Sequence, residues 1–201
     1  MKLIKTCLVV LSMVTFSVSS YAQRIKMIEG DLSALRNEKK INTEFTYEHM
    51  SVGKFDNETD YIAKKKEDYN KKEPGKGDQW AKDWVTDRHH LFEPKFNDLF
   101  ERESEISVTG SNKDARYTLI YKTTSMEPGY NIYISRKNAE TDAEVWIVET
   151  ANPSKVIAKI SVENAKGRTF GGADYETGVR LAECYADAGK YLGKFMKKQM
   201  K

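Results

Sequence analysis

Two apolar, strand-like segments on either side of a short turn restrict the fold of this chain most strongly. "AEVWIVET" covers residues 143–150 and "KVIAKISVE" covers residues 155–163, with "ANPS" between them. Short apolar segments bounded by a turn are typical of strands, and an Asn-Pro pair favours a tight turn. The sequence therefore predicts an antiparallel hairpin here.

Further strands are predicted on both sides of the centre of the chain. Ile25–Ile28 is a short apolar strand, and residues 41–47 alternate with Ile41 and Tyr47 at the ends of one face. Met50 and Val52 break this alternation, which predicts a bulge or the end of the strand. Residues 115–124 alternate again, and residues 129–135 are a possible additional strand.

Helices are predicted between the strands and at the end of the chain. One amphipathic helix ends near Lys72, before a break at Pro74, and Asp78 is expected to cap the next. Pro94 predicts a kink or restart in that second helix. A long helix is predicted from about Tyr175 to Met200.

Each of the later helices carries one apolar stripe, which indicates a face that packs on a sheet. The stripes consist of Trp80, Trp84 and Leu91 in the second helix, and of Leu181, Cys184, Tyr185, Ala188, Leu192 and Phe195 in the last. Strands and helices fall into separate blocks, so the fold class is α+β. We expect a mainly antiparallel sheet of about four strands with two or three helices packed on one face. Residues 23–201 are predicted to form a single domain.

The first 22 residues have the pattern of a secretory signal peptide. Two lysines precede a short apolar run, and small residues end at Ala22, where cleavage is expected. The run is too short for a membrane anchor. A lipoprotein has its cysteine directly after the apolar run, whereas Cys7 lies before it. We therefore expect a periplasmic or secreted protein that begins at Gln23, with no transmembrane segment.

Export leaves a nearly neutral chain with one cysteine. The sequence has 33 basic and 30 acidic residues, and two of the lysines belong to the signal. A protein with so little net charge has no strong electrostatic reason to bind nucleic acid. Only Cys184 remains after cleavage, so no intramolecular disulfide is possible and stability must come from packing.

The glycine-rich stretch 167–178, "GRTFGGADYETG", resembles a phosphate-binding loop only superficially. Ala173 and Asp174 follow where a Walker loop has Lys and Ser or Thr, and the dinucleotide pattern is absent. Acidic residues at the start of the last helix satisfy its amides themselves. We expect Gly171 and Gly172 to form a sharp turn and Asp174 to cap the helix.

No catalytic, cofactor-binding or metal-binding residues are assigned from the sequence. His89 and His90 are adjacent, so in a helix they point about 100° apart and do not suit one metal ion. His49 is expected in the core or at its rim, and Cys184 is expected to be a buried thiol. Several carboxylates cluster around one helix start, where the dipole explains them: Glu73, Asp78, Asp83 and Asp87.

Two features could bind a partner. Strand tyrosines could form an exposed aromatic row, although strands favour tyrosine in any case; they are Tyr117, Tyr121, Tyr130 and Tyr133. The basic end of the chain, "GKYLGKFMKKQMK", could contact an anionic membrane surface, or its lysines could simply complement the helix dipole.

Several segments together resemble an exported bacterial family of unknown function. They are "EGDLSAL", "MSVGKF", "DRHHLFEPKFNDLF", "TSMEPGYNI", "VWIVETANPSKVIAKISV" and "TFGGADYETGVRLAECYADAGKYLGKF". The resemblance covers nearly the whole chain after the signal, and it implies no activity, cofactor or catalytic residue. The order of elements is also similar to small envelope domains such as the N-terminal domain of TolB and the assembly lipoproteins.

The sequence favours a binding function over an enzymatic one. We expect an exported, non-catalytic envelope protein that binds or assembles with another envelope protein. The alternative is a glycan- or small-ligand-binding module that uses the strand tyrosines. The ligand is not specified by the sequence in either case.

Overall fold

The structure is a computed structural model that describes residues 23–109, 114–132, 135–167 and 176–201. Its helices are α1 Glu58–Lys72, α2 Lys76–Asp87, α3 Glu93–Ser104 and α4 Thr177–Gln199. Its strands are β1 Arg24–Gly30, β2 Lys40–Thr46, β3 Ser51–Val52, β4 Ser107–Val108, β5 Tyr117–Glu127, β6 Tyr130–Ile132, β7 Ser135–Lys137, β8 Ala139–Glu149 and β9 Asn152–Gly167. The predicted signal peptide lies outside the described residues.

Seven of these strands form one mixed sheet. Its order is β1-β9-β8-β5-β2-β4, and β3 pairs with β5 further along the same side as β2. The β8–β9 hairpin is antiparallel, which confirms the predicted pairing, and β5 and β1 extend it in the same sense. The other pairs are parallel: β2 pairs with β5 and with β4, and β3 pairs with β5. The predicted turn at Asn152 and Pro153 is wrong, because the chain turns at residues 150–151 and Asn152 already pairs with Glu149.

The fold class α+β is confirmed, but the expected sheet of about four mainly antiparallel strands is wrong. β3 and β4 have two residues each, too few to show a period in the sequence. The alternation of β2 is the same whether its neighbour is parallel or antiparallel. Its direction follows from the chain path, because helices α1–α3 separate β2 and β3 from β5 and return the chain to the same end of the sheet.

α3 and α4 cover one face of the sheet. The expected packing of the Trp80 stripe on the sheet is wrong, because α2 packs mainly against α1, where Trp80 and Trp84 contact Tyr61. Tyr185 of α4 bonds through its hydroxyl to Thr123 of β5 at 2.7 Å, and its ring stacks on Phe92 with centroids 5.0 Å apart. Phe96 of α3 packs against Phe45 and Tyr121 at 5.3 and 4.8 Å. These rings lie at the centre of the core.

The second face of the sheet carries a half-buried tryptophan among charged side chains. Trp146 of β8 lies between Lys122 of β5 and Lys159 of β9, whose ammonium nitrogens are 3.2 and 5.0 Å from its ring centroid. Lys159 also pairs with Glu29 of β1 at 2.7 Å.

In place of the kink or restart predicted at Pro94, the helix has one wider, π-helical turn. Residues Arg88–Phe92 form one π-helical turn that joins α2 to α3, and Pro94 lies in the first turn of α3. A π turn holds more residues than an α turn, so it rotates the apolar stripe of the following helix. This explains why the stripe that contains Trp84 does not continue in register.

The start of α2 differs from the prediction. The helix begins at Lys76 and its N-cap is Gly75, with a φ of 86°, so Asp78 lies inside the first turn instead of capping it. Gly75 takes the left-handed conformation that this turn requires. Asp78 instead pairs with Lys66 of α1 at 2.7 Å and fastens the two helices together.

Candidate binding cleft

A polar cleft of about 540 Å³ opens where β2 ends. Its walls come from the segment after β2, from the start of α1 and from the π-helical turn. The lining residues are Phe45, Thr46, Tyr47, Glu48, His49, Met50, Asn57, Glu58, Thr59 and Arg88.

The strand breaks at this point because the backbone turns away from the sheet. His49 has a φ of 60°, in the left-handed region that a side chain with a Cβ seldom adopts. Pairing with β5 resumes only at Ser51. The predicted bulge or strand end at Met50 is therefore a real interruption, and His49 lies exposed at the rim of the cleft.

β2 also has a free edge next to the cleft. β4 pairs with β2 only through Lys40 and Ile41. Beyond Ile41, none of the described strands pairs with the outer edge of β2. Asn42 and Thr43 are nevertheless buried, at 1% and 6% exposure, so the free edge is limited to the half-buried residues 44–46. Unpaired strand edges offer backbone donors and acceptors to another chain.

Arg88 is the central side chain of the cleft. The π-helical turn directs it across the ring of Tyr47, with 4.3 Å from its guanidinium carbon to the ring centroid. It also forms an ion pair with Glu58 in the first turn of α1, and the two side chains are only 13% and 21% exposed. Such a shielded pair gains more from charge attraction than a surface pair, because little water screens it.

Glu58 has a second partner. Its carboxylate also accepts a hydrogen bond from the indole nitrogen of Trp84 in α2. Asn57 caps α1 by accepting a bond from the backbone amide of Asp60 at 2.9 Å. The start of α1, α2 and the π-helical turn therefore meet at this carboxylate, and Arg88 is held in place before any ligand arrives.

A chain of polar groups leads from the surface beside the cleft towards the core. The imidazole of His89 lies 2.9 Å from Glu93, and Glu93 accepts a bond from the hydroxyl of Tyr47 at 3.3 Å. Burial raises the pKa of the Tyr47 hydroxyl well above its ordinary value, and the neighbouring Tyr185 adds to this. Burial likewise raises the pKa of the Tyr185 hydroxyl. Both tyrosines therefore stay protonated and act as hydrogen-bonding groups.

Cys184 and His49 do not meet. Cys184 is buried in α4, and burial raises the pKa of its thiol well above the ordinary value. The predicted buried thiol is confirmed. The structure does not bring this cysteine and His49 together in one open cleft, because His49 lies on the exposed rim.

The four carboxylates expected around one helix start lie at two places. Glu73 and Asp78 are at the turn between α1 and α2, where each pairs with a lysine. Asp83 and Asp87 lie near the end of α2, beside the start of α4. Burial, with a smaller contribution from Asp83, raises the pKa of the Asp87 carboxyl.

His89 projects into solvent, as the sequence predicts, and contacts Glu93. Within the described parts of the chain, no three or more His, Cys, Asp or Glu side chains are grouped as metal ligands. None of the helices described there has the length and apolar composition needed to cross a membrane.

The exposed row of tyrosines considered as an alternative is not present among the described residues. Tyr117 and Tyr121 point into the core and are 3% and 0% exposed, because their face of β5 is the one that the helices cover. Tyr130 is exposed on the small β6–β7 hairpin, and Tyr133 lies outside the described residues.

The sequence also predicts a turn and cap before α4 and a basic segment at its C-terminal end. The expected turn at Gly171 and Gly172 and the cap at Asp174 lie outside the described residues. At the other end, Lys197 pairs with Glu105 at 2.6 Å, so one lysine of the basic tail fastens α4 to the end of α3.

Sequence reasoning missed the pair formed by Glu58 and Arg88. Arg88 follows Trp84 by four residues, as Trp84 follows Trp80, so the spacing places all three on one side of a helix. That periodicity could have identified Arg88 as an inward-facing charge. The position of Glu58 beside it depends on how α1 packs on α2, which no local pattern contains.

Comparison with known proteins does not assign a family. No protein-family model and no curated protein match the chain. Among solved structures, the chain is similar to the PelC dodecamer from Paraburkholderia phytofirmans, at 10% identity and a TM-score of 0.38, over 83% of this chain and 97% of that one. A variant PelC dodecamer from the same organism has 12% identity and a TM-score of 0.37, over 83% and 98%. Values this low carry no conclusion about fold or function.

Proposed function

We propose that this is an exported, non-catalytic envelope protein that binds an extended segment of another protein along the free edge of β2. The observation that carries the proposal is the half-buried edge of β2 at residues 44–46, which none of the described strands pairs with and which leads directly into the cleft around Arg88. A partner strand on this edge would form backbone hydrogen bonds, and its next side chains would enter the cleft. This is the usual mode of β-strand addition.

The charges of the cleft indicate which partner side chains fit. Glu48 and Glu58 face a single arginine, and Arg88 is already paired with Glu58. Carboxylates therefore outnumber cations in the lining. A basic or neutral polar side chain of the partner is favoured over an acidic one, because an acidic group would meet uncompensated negative charge.

The cleft is suited to binding because its polar groups are fixed in advance. Arg88 is held by Glu58 and by the ring of Tyr47, so little side-chain entropy is lost when a partner arrives. The cysteine that could serve as a nucleophile is buried away from it. Export rests on the signal pattern of residues 1–22.

The test is site-specific photo-crosslinking in cells. Glu48, at the rim of the cleft, is replaced by photoreactive benzoylphenylalanine, and adducts are isolated from the periplasmic and outer-membrane fractions. We expect one reproducible protein adduct, identified by mass spectrometry. The same replacement at Lys155, an exposed residue near the β8–β9 turn, is the matched control.

The pattern of adducts decides the outcome. An adduct from position 48 that is absent from position 155 supports the proposal. No adduct, or the same adducts from both positions, contradicts it. Recovery of the protein only in the cytoplasmic fraction contradicts the export part of the proposal separately.

A further inference from the structure

We propose that a shallow pocket between α1 and α2 binds one pyranose ring of a glycan. The pocket has a volume of about 210 Å³ and is lined by Tyr69, Lys76, Gln79, Trp80 and Asp83. It shares no lining residue with the cleft at β2, so the inference does not rest on the protein-binding proposal. Its aromatic residues differ from the strand tyrosines Tyr117 and Tyr121, which are buried.

Two aromatic rings form the apolar part of this pocket. The rings of Tyr69 and Trp80 have centroids 5.7 Å apart and planes inclined at 52°. Trp80 is in turn packed against Trp84 at 5.5 Å and Tyr61 at 5.7 Å. This packing fixes the indole in one orientation while it stays partly exposed. A rigid, partly exposed aromatic surface gives contact area at little entropic cost.

The rim supplies hydrogen-bonding groups beside the rings. The amide nitrogen of Gln79 donates to the carboxylate of Asp83 at 2.6 Å, and both side chains are exposed at the rim. Lys76, paired with Glu73 at 2.9 Å, adds an ammonium group. Amide, carboxylate and ammonium together offer both donors and acceptors at the rim of the pocket.

This combination favours a sugar over other small ligands. A pyranose ring has an apolar face of C–H groups, which packs on aromatic rings, and an edge of hydroxyls that both donate and accept hydrogen bonds. A purely apolar ligand would contact the rings but would form no hydrogen bonds with the rim groups. An anion or a cation would meet a rim that carries charges of both signs. A volume of about 210 Å³ suits one ring of a larger glycan.

The test is a titration of the purified protein with two disaccharides, chitobiose and cellobiose, followed by calorimetry and tryptophan fluorescence. Trp146→Phe serves as the background for fluorescence, because this tryptophan lies on the opposite face of the sheet. Binding by the Trp146→Phe protein should equal that of the unchanged protein, and the indole signal should change on saturation.

Variants at the rim test the hydrogen bonds without disturbing the core. Asp83→Ala and Gln79→Ala alter exposed side chains, so the fold should persist, as circular dichroism checks. Each is expected to weaken disaccharide binding about tenfold, equivalent to about 1.4 kcal/mol, because one hydrogen-bonding group is lost. Trp80→Ala should abolish it.

Three results would overturn the inference. The first is no saturable binding of either disaccharide. The second is binding that persists unchanged in Asp83→Ala and Gln79→Ala. The third is tighter binding of indole than of both disaccharides, which would make this an apolar pocket. All three are measured without any partner protein, so they leave the crosslinking result untouched.

Discussion

Arg88 connects three parts of the molecule through one side chain. It contacts Tyr47 after β2 and Glu58 at the start of α1, and its own backbone belongs to the π-helical turn. Removing it would leave a half-buried carboxylate without its cation and an aromatic ring without its cover.

We therefore expect Arg88→Ala to lower the free energy of unfolding by about 1–3 kcal/mol, because one half of a shielded pair is left unpaired. Urea denaturation measures this. Arg102→Ala is the matched control: Arg102 is an arginine of α3 that is 61% exposed, and its loss should leave the urea midpoint unchanged. Equal effects from the two variants would contradict the role given to Arg88.

Three tyrosine hydroxyls and one cysteine thiol make the free energy of unfolding sensitive to alkaline pH. Burial raises the pKa of Tyr47, Tyr121, Tyr185 and Cys184 in the folded protein. The folded state thus keeps protons that the unfolded state releases above the ordinary pKa values of these groups. Their contribution to stability is complete below those values and is lost as the pH rises.

The prediction is a steep fall in the free energy of unfolding above about pH 9, by up to ~1.4 kcal/mol per pH unit for each group. Urea midpoints between neutral and alkaline pH measure the slope. Alkylation of Cys184 should be negligible in the folded protein and fast in urea. Fast alkylation without denaturant, or a flat stability profile, would contradict the burial of these groups.

At the level of elements, two glycines let α4 approach α3 closely. A Cβ at Gly189 would lie 2.3 Å from the backbone oxygen of Phe96, and one at Gly193 would lie 2.8 Å from that of Phe100. Alanine normally favours a helix by about 1 kcal/mol over glycine. Here the contact with neighbouring backbone reverses that preference, because backbone cannot move aside as a flexible side chain can.

Gly189→Ala should lower the free energy of unfolding by about 2 kcal/mol or more, as overpacking does. Gly193→Ala should cost less, since its contact is longer. Lys190→Ala in the same helix is the control and should leave the thermal midpoint nearly unchanged. Thermal denaturation ranks the three variants, and a stabilising Gly189→Ala would show that the two helices are further apart than described.

Local patterns predicted several elements well. The β8–β9 hairpin, the end of α1 at Lys72 and the buried side of α4 all agree with the sequence, because each depends on a periodicity within one segment. The parallel pairing of β2 with β5 could not be read in this way. Alternation shows which residues share a face, and it contains no information on the direction of the neighbouring strand.

For the whole molecule, one aromatic-rich core joins the sheet to the helices. Trp80 and Trp84 lie on the helical side, whereas Trp146 lies on the second face of the sheet. These tryptophans therefore report on both layers of the fold.

If residues 23–201 fold as a single domain, both layers should unfold together. We expect tryptophan fluorescence and far-ultraviolet circular dichroism to give the same urea midpoint, as in a two-state transition. Trp146→Phe limits the fluorescence to the helical layer and should not shift that midpoint. Two separate transitions would mean that α1 and α2 unfold independently of the sheet.

The sequence by itself determined the class of the fold, the central hairpin, the stripe of the last helix and the burial of Cys184. These features depend on short-range periodicity, which is fixed by the backbone geometry of strands and helices. The tertiary structure alone decided that Tyr117 and Tyr121 are buried, that β2 keeps a free edge, and that Glu58 meets Arg88. Each of these depends on which face another element covers, and that is settled only when distant segments pack together.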